Sequence, residues 1–266
     1  MLGAVIRKRF GQHFLEPAWV DKVIRAIDPK PGEVFIEIGP GAGALTRPLA
    51  ARAKAVTAFE IDRDLVGELR AAAIPNLTLV EGDFLATDRS TFRLLTSDLL
   101  RVAGNLPYNV ASPILFKLVE LYAAGVPLGD ATLMLQREVA DRLIAGPGSR
   151  EYGVLSILIG HSAGVEMIRK LPAGAFRPPP KVLSALVRLR FHAPDPPAQD
   201  EAAFAGLVQA VFTRRRKTLA NALLAFPPAV AATPARMLRD AGIDGGRRPE
   251  TLSIAEFARL ADFLPR

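Results

Sequence analysis

Glu37-Ile-Gly-Pro-Gly-Ala-Gly43 follows the apolar run Val34–Ile38. Glycines at the end of such a run let the backbone approach a ligand closely, and a helix starting after them offers its N-terminus. The segment lacks a Gly-Lys-Ser/Thr ending, which disfavours a nucleoside triphosphate, and Gly43 comes one residue too early for G-x-G-x-x-G. Glu60 closes the second apolar run, 21 positions beyond Gly39. In doubly wound folds an acid there accepts hydrogen bonds from a ribose. Asp83 follows the third run in Glu81-Gly-Asp83. It suits the exocyclic amine of an adenine, and it reads equally well as a turn aspartate. Up to this point a dinucleotide enzyme and an S-adenosylmethionine enzyme read alike.

Asn105, Leu106, Pro107 and Tyr108 follow the fourth run and separate the two. Asn-[Leu/Ile]-Pro-Tyr in this place is the pattern of amino-group methyltransferases, and the chemistry accounts for the residue types. The N6 lone pair of adenine is delocalised into its ring, so the nitrogen is a poor nucleophile. The Asn105 amide oxygen and a backbone carbonyl near Leu106 can accept both N6 hydrogens, which holds the nitrogen and aims it. Pro107 stiffens the turn and brings no competing donor. Tyr108 can stack on the target base.

Basic residues gather in four places. Phe176-Arg-Pro-Pro-Pro-Lys-Val182 is a stiff loop in which Phe176 can close the second side of a flipped base while Arg177 and Lys181 meet phosphate. Arg7-Lys8-Arg9, Arg214-Arg215-Arg216-Lys217 and Arg247-Arg248 are denser still. Each alone is commonly a solvated face; beside a base pocket they read as RNA contacts.

The elements that must carry these residues alternate. Apolar runs at Val34–Ile38, Ala55–Glu60, Leu77–Val80, Leu99–Ala103 and Ala131–Leu135 read as strands. Trp19, Val20, Val23, Ile24 and Ile27 repeat at helical spacing, and so do Ile114, Leu115, Leu118, Val119 and Tyr122 behind Ser112 as N-cap and Pro113 at the first helical position. The alternation predicts an α/β fold: a mostly parallel sheet with helices on both faces. Runs near Val165–Lys170 and Leu183–Phe191 have no helix between them and predict a late antiparallel hairpin at an edge. After the Pro-rich stretch Ala193–Gln199 only helical patterns follow, including a capping box at Ser253 and Glu256. The division expected is 1–193 and 194–266, the second part a small all-helical domain.

Composition narrows the classes. The chain has 266 residues, half of them apolar, with 34 Lys+Arg against 27 Asp+Glu and a net charge of +7. With no cysteine and three scattered histidines, neither a disulfide, nor thiolate catalysis, nor a metal site is expected. The first residues lack signal-peptide order, and no run of about 18 apolar residues is available to cross a membrane. A cytoplasmic protein is expected.

Taken together, these segments resemble the ribosomal RNA adenine dimethyltransferase family nearly end to end, on the side that acts on the small subunit. Lys8-Arg-Phe-Gly-Gln-His-Phe-Leu15 looks like its N-terminal cofactor segment. Gln136–Arg142, Phe176–Val182, Arg214–Leu219 and Arg248–Ser253 are similar to its later motifs. The resemblance implies the class I (Rossmann-like) methyltransferase fold and S-adenosylmethionine as cofactor. It implies that His13 and Leu15 help bind that cofactor through side chain or backbone, with Gly39 beneath its methionine part and Gly41 in the same loop. Glu60 then takes the ribose, Asp83 the adenine, and Asn105 the reacting centre. The implied activity is dimethylation of two adjacent adenosines in the 3′-terminal hairpin of small-subunit RNA, within an assembling 30S-type particle, by a monomer. Three rivals remain: the sister family that methylates large-subunit RNA, a non-catalytic RNA-binding assembly or transcription factor on the same fold, and a nicotinamide oxidoreductase. Asn105–Tyr108 opposes the last.

Overall fold

The computed structural model describes residues 13–93, 98–231 and 233–264. Among the described residues nine strands are present: β1 (Phe14–Leu15), β2 (Val34–Ile38), β3 (Ala55–Glu60), β4 (Leu77–Glu81), β5 (Leu100–Asn105), β6 (Leu128–Gln136), β7 (Ala163–Leu171), β8 (Phe176–Arg177) and β9 (Ser184–Phe191). Seven form one sheet in the order β4-β3-β2-β5-β6-β9-β7. Pairings from β4 through β6 are parallel, and β9 runs antiparallel against β6. The late antiparallel addition is therefore present, with β7 as the edge strand and β9 inside it. All five residues of β2 are buried, as expected of a central parallel strand covered on both faces. Among the described residues no helix is long and apolar enough to cross a membrane.

The helix Pro17–Ile27 forms where the apolar periodicity places it, with Pro17 in its first turn. Two arginines on the sheet grip its C-terminal carbonyls. Arg101 donates to Ile27 O at 2.8 Å and Arg188 to Ala26 O. Arg101 also pairs with Asp130 and Glu33, each at 2.7 Å, so the guanidinium is neutralised where it is largely buried.

The helix after β5 spans Ala111–Ala123 with Val110 as N-cap, which corrects the expected cap at Ser112. A turn in which the Val110 N–H donates to Pro107 O, at 3.1 Å, delivers the chain into the helix earlier. Ser112 and Pro113 consequently both lie in the first turn, where a missing N–H is tolerated.

The chain divides into two compact units. One holds the chain up to Ala140 with Glu166–Phe191; the other holds Asp141–Val165 with His192–Arg266. The expected division at 193/194 is thus corrected for Asp141–Val165. Tyr152 and Ile157 are buried in one core with Phe204, Leu207, Val211 and Phe257, and the Tyr152 hydroxyl donates to Leu252 O at 2.9 Å. The capping box of the last helix, Ile254–Ala261, is formed as expected: Ser253 Oγ accepts the Glu256 N–H and the Glu256 carboxylate accepts the Ser253 N–H.

Candidate active site

A pocket opens at the carboxyl ends of β2, β3, β4 and β5, where open α/β sheets bind their ligands. It is lined by the turns that follow those strands and by His13–Leu15. Of the residues expected at the cofactor, His13, Leu15, Gly39, Gly41, Glu60, Asp83 and Asn105 all line it, together with Leu106, Pro107 and Tyr108.

The loop after β2 is fixed from the neighbouring strand. Gly39 N–H donates to Phe59 O at 2.9 Å. Glu60 is 4% exposed, and its Oε2 accepts the Gly41 N–H at 3.0 Å while Oε1 accepts the Asp62 N–H at 2.9 Å. Gly41 has φ +56°, and a Cβ there would lie 3.4 Å from the Phe14 ring. A side chain at this position would be strained by that φ and would touch the ring. The helix beyond the loop is short, Thr46–Ala50.

The lining is acidic. It contains Glu37, Glu60 and Asp83 and, among the described residues, no Lys or Arg. Glu37 is 1% exposed and its Oε2 has no hydrogen-bond partner among the described residues. Burial pushes its carboxyl up to about 8, with the Thr46 hydroxyl pulling it down and nearby Glu60 adding to the rise. Asp83 caps a short turn, Oδ1 accepting the Leu85 N–H at 2.9 Å. Phe59 and Phe84 meet edge to face with ring centroids 5.4 Å apart, giving the acids an aromatic backing.

At the end of β5, Asn105 Nδ2 donates to the His13 carbonyl at 2.7 Å. That assigns the amide: one N–H is used on the His13 carbonyl, and the oxygen is left as an acceptor. The Tyr108 hydroxyl shares a 2.6 Å hydrogen bond with Ser184 Oγ, and its ring stacks on His13 with centroids 5.6 Å apart. Burial raises the phenol above its ordinary range and the Ser184 bond partly offsets this, so Tyr108 stays neutral.

Other expected contacts are placed differently. Phe176 is 3% exposed and packs in the core with Leu15, Ile24 and Leu186. It does not line the pocket, so the expectation that it closes over a target base is corrected. In the two-stranded pairing of β1 with β8, Leu15 opposes Phe176 and Phe14 opposes Arg177. Leu15 and Phe176 pack together in the core, and of the two phenylalanines of this pairing it is Phe14 that lines the pocket. Arg177 and Lys181 are exposed, Arg177 pairing with Glu16 at 3.1 Å.

Arg214, Arg216 and Lys217 are exposed in the turn after the helix Glu201–Phe212. Arg215 instead donates to Ser149 O at 3.1 Å. Arg247 is drawn onto Glu256 and Thr251 O, while Arg248 is exposed. Arg7, Lys8 and Arg9 lie outside the described residues. Sequence reasoning missed Phe14, Glu37 and Ser184. The acid at the heart of the apolar run Val34–Ile38 was the available signal for Glu37.

The family model for ribosomal RNA adenine dimethylase matches residues 3–265. Ribosomal RNA small subunit methyltransferase A of Acinetobacter baylyi is 45% identical over 98% of this chain and 93% of its own length. Its namesake in Xanthomonas campestris pv. campestris (strain B100) is 43% identical over 97% and 96%. Among solved structures, a dimethyladenosine transferase from Plasmodium falciparum superposes with a TM-score of 0.75 at 25% identity, over 93% of this chain and 96% of that one. The 23S rRNA methyltransferase ErmE does so with a TM-score of 0.68 at 27% identity, over 94% and 99%. A family match over nearly the whole chain, with relatives of this identity covering it end to end, establishes that the chain belongs to the ribosomal RNA adenine dimethylase family of S-adenosylmethionine-dependent methyltransferases.

Proposed function

We propose that the chain dimethylates N6 of two adjacent adenosines in the 3′-terminal hairpin of small-subunit ribosomal RNA, within an assembling 30S-type particle, with S-adenosylmethionine as donor. The observation that carries this reading is the assigned amide of Asn105. Its nitrogen is committed to the His13 carbonyl, and its oxygen accepts at the rim of an acidic pocket. Bound S-adenosylmethionine supplies a methyl group on a positively charged sulfur. Glu60 and Asp83, with no Lys or Arg among the described lining residues, favour such a cationic ligand over the pyrophosphate of a dinucleotide. Glu37, held protonated at neutral pH, adds a polar group to the lining whose Oε2 has no partner among the described residues.

Glu60 takes the ribose hydroxyls, with a second lone pair on each oxygen beyond those used by Gly41 and Asp62. Asp83 takes the adenine amine of the cofactor through the oxygen that Leu85 leaves free, and His13, Leu15, Gly39 and Gly41 complete the cradle. Asn105 Oδ1 and the carbonyl at Leu106 accept both hydrogens of the target N6 and hold its lone pair toward the methyl group. Tyr108 stacks on the flipped base. The amine becomes acidic as it gains positive charge, so no strong general base is needed. Arg7, Lys8, Arg9, Arg177, Lys181, Arg214, Arg216, Lys217 and Arg248 serve as phosphate contacts, which position RNA without reading sequence. In this reading the enzyme works as a monomer in the cytoplasm, where its substrate is assembled.

Small-subunit specificity is supported by relatives named for that substrate at 45% and 43% identity, against 27% for the large-subunit enzyme. Mass spectrometry of both ribosomal RNAs from cells with and without this protein tests it. N6,N6-dimethyladenosine is expected to vanish from the small-subunit 3′ hairpin alone. Loss from the large-subunit RNA, or from neither, would refute the assignment.

A further inference from the structure

We infer that His13 is a positioning residue: its carbonyl, its ring nitrogen and its ring face together set the orientation of the Asn105 amide and the Tyr108 ring. The inference rests on the adenine-methylating reading above and adds an orienting role to the place of His13 in the cofactor cradle.

An asparagine amide presents nearly the same shape when its oxygen and nitrogen are exchanged by a half-turn. Only one of the two orientations offers an acceptor to an amine. The His13 carbonyl can only accept, and it takes the Asn105 Nδ2 hydrogen at 2.7 Å. The exchanged orientation would set two oxygens face to face. A single backbone carbonyl thereby selects the orientation that orients a target amine.

That carbonyl is itself held. Glu16 N–H donates to Ala175 O at 2.9 Å, and the paired residues Leu15–Phe176 and Phe14–Arg177 continue the ladder toward His13. The next residue along is Pro178, which has no N–H to extend the ladder. The His13 ring replaces the missing rung: Nδ1 lies 2.7 Å from Pro178 O. A carbonyl cannot donate, so Nδ1 carries the hydrogen. The Pro-rich segment that begins at Phe176 thus acts by holding His13, with the Phe176 ring buried behind it.

The same imidazole covers one face of Tyr108, at 30° between ring planes, while Ser184 holds the hydroxyl. Fixed at one face and at its tip, the phenol ring keeps its other face for a base.

Single-turnover methylation at saturating S-adenosylmethionine and RNA, with cofactor affinity measured separately by calorimetry, tests the inference. His13→Ala should slow the single-turnover rate at saturating cofactor about ten- to a hundredfold, the scale of a misplaced reacting group, over and above any loss of cofactor affinity. His13→Phe keeps a ring against Tyr108 but loses the Pro178 bond, and should fall between His13→Ala and the parent. Should His13→Ala fail to fold, His13→Phe and Ser184→Ala carry the test. Both act through Tyr108, so their combined loss should be smaller than the product of the separate losses. An unchanged rate at saturating cofactor, with or without weakened cofactor binding, would leave His13 a cofactor contact only and overturn the inference; so would independent losses in the double variant. A parent enzyme unable to methylate RNA would overturn the functional reading and this inference with it. A competent parent matched by His13→Ala and His13→Phe would overturn this inference alone.

Discussion

Glu60 and Gly41 face each other across the pocket floor: one carboxylate oxygen of Glu60 accepts the Gly41 N–H at 3.0 Å, bracing the loop after β2 from the end of β3. The same acid is the proposed ribose ligand, so it shapes the loop and binds the cofactor at once. Glu60→Ala should therefore weaken S-adenosylmethionine binding by at least about tenfold, since hydrogen bonds to a charged group contribute about 1.5–3 kcal/mol each. Calorimetry on the folded variant measures it, and an unchanged affinity would remove Glu60 from the site.

Glu37 predicts a pH dependence. Its carboxyl is raised from 4.5 to about 8, chiefly by burial. Between those values the folded protein holds a proton that the unfolded chain releases. Stability is therefore fully present at low pH and is lost as pH rises through the folded value. The loss should be on the order of a few kcal/mol between about pH 5 and pH 9. Glu37→Gln removes the titration, so the difference between variant and parent should shift in favour of the variant across that window. Denaturant unfolding at several pH values tests this, and parallel curves would contradict it.

The basic turn at Arg214–Lys217 divides by exposure. Arg214, Arg216 and Lys217 are exposed, while Arg215 is tied to Ser149 O. Neutralising the exposed three should leave cofactor affinity intact, weaken binding across RNA sequences alike, and lower the salt slope by about 0.7–0.9 per lost phosphate contact. Arg215→Ala and Arg247→Ala should instead lower thermal stability, because each leaves a backbone carbonyl or carboxylate without its partner. An unchanged particle affinity and slope in the triple variant would leave the exposed turn a solvated face.

Much of this was legible in the sequence. Val34–Ile38 and Ala55–Glu60 are strands at the expected residues because a central parallel strand is a continuous apolar run. The pocket residues were legible because loops at the carboxyl ends of such strands converge. What escaped depended on distant partners. β6 begins at Leu128, earlier than its apolar run, because Asp130 is neutralised by Arg101 from the neighbouring strand. Asp141–Val165 was assigned to the wrong unit because Tyr152 finds its partner at Leu252. Phe176 was turned the wrong way because a two-residue strand has too little alternation to show which face is inward. Gly104 carried no local signal either. A Cβ there would meet the Ile38 carbonyl at 2.7 Å, a close approach visible only once β2 and β5 are paired.

In the proposed function Asn105 orients an adenine N6 on small-subunit RNA. Its most direct test is methylation of purified small- and large-subunit particles with labelled S-adenosylmethionine, by the parent and by Asn105→Ala. The account predicts N6,N6-dimethyladenosine in the small-subunit 3′ hairpin only. It also predicts that Asn105→Ala binds cofactor with affinity within about threefold of the parent while its single-turnover rate falls by at least about a hundredfold. Label in the large-subunit RNA, or a variant methylating at near the parent rate, would contradict it.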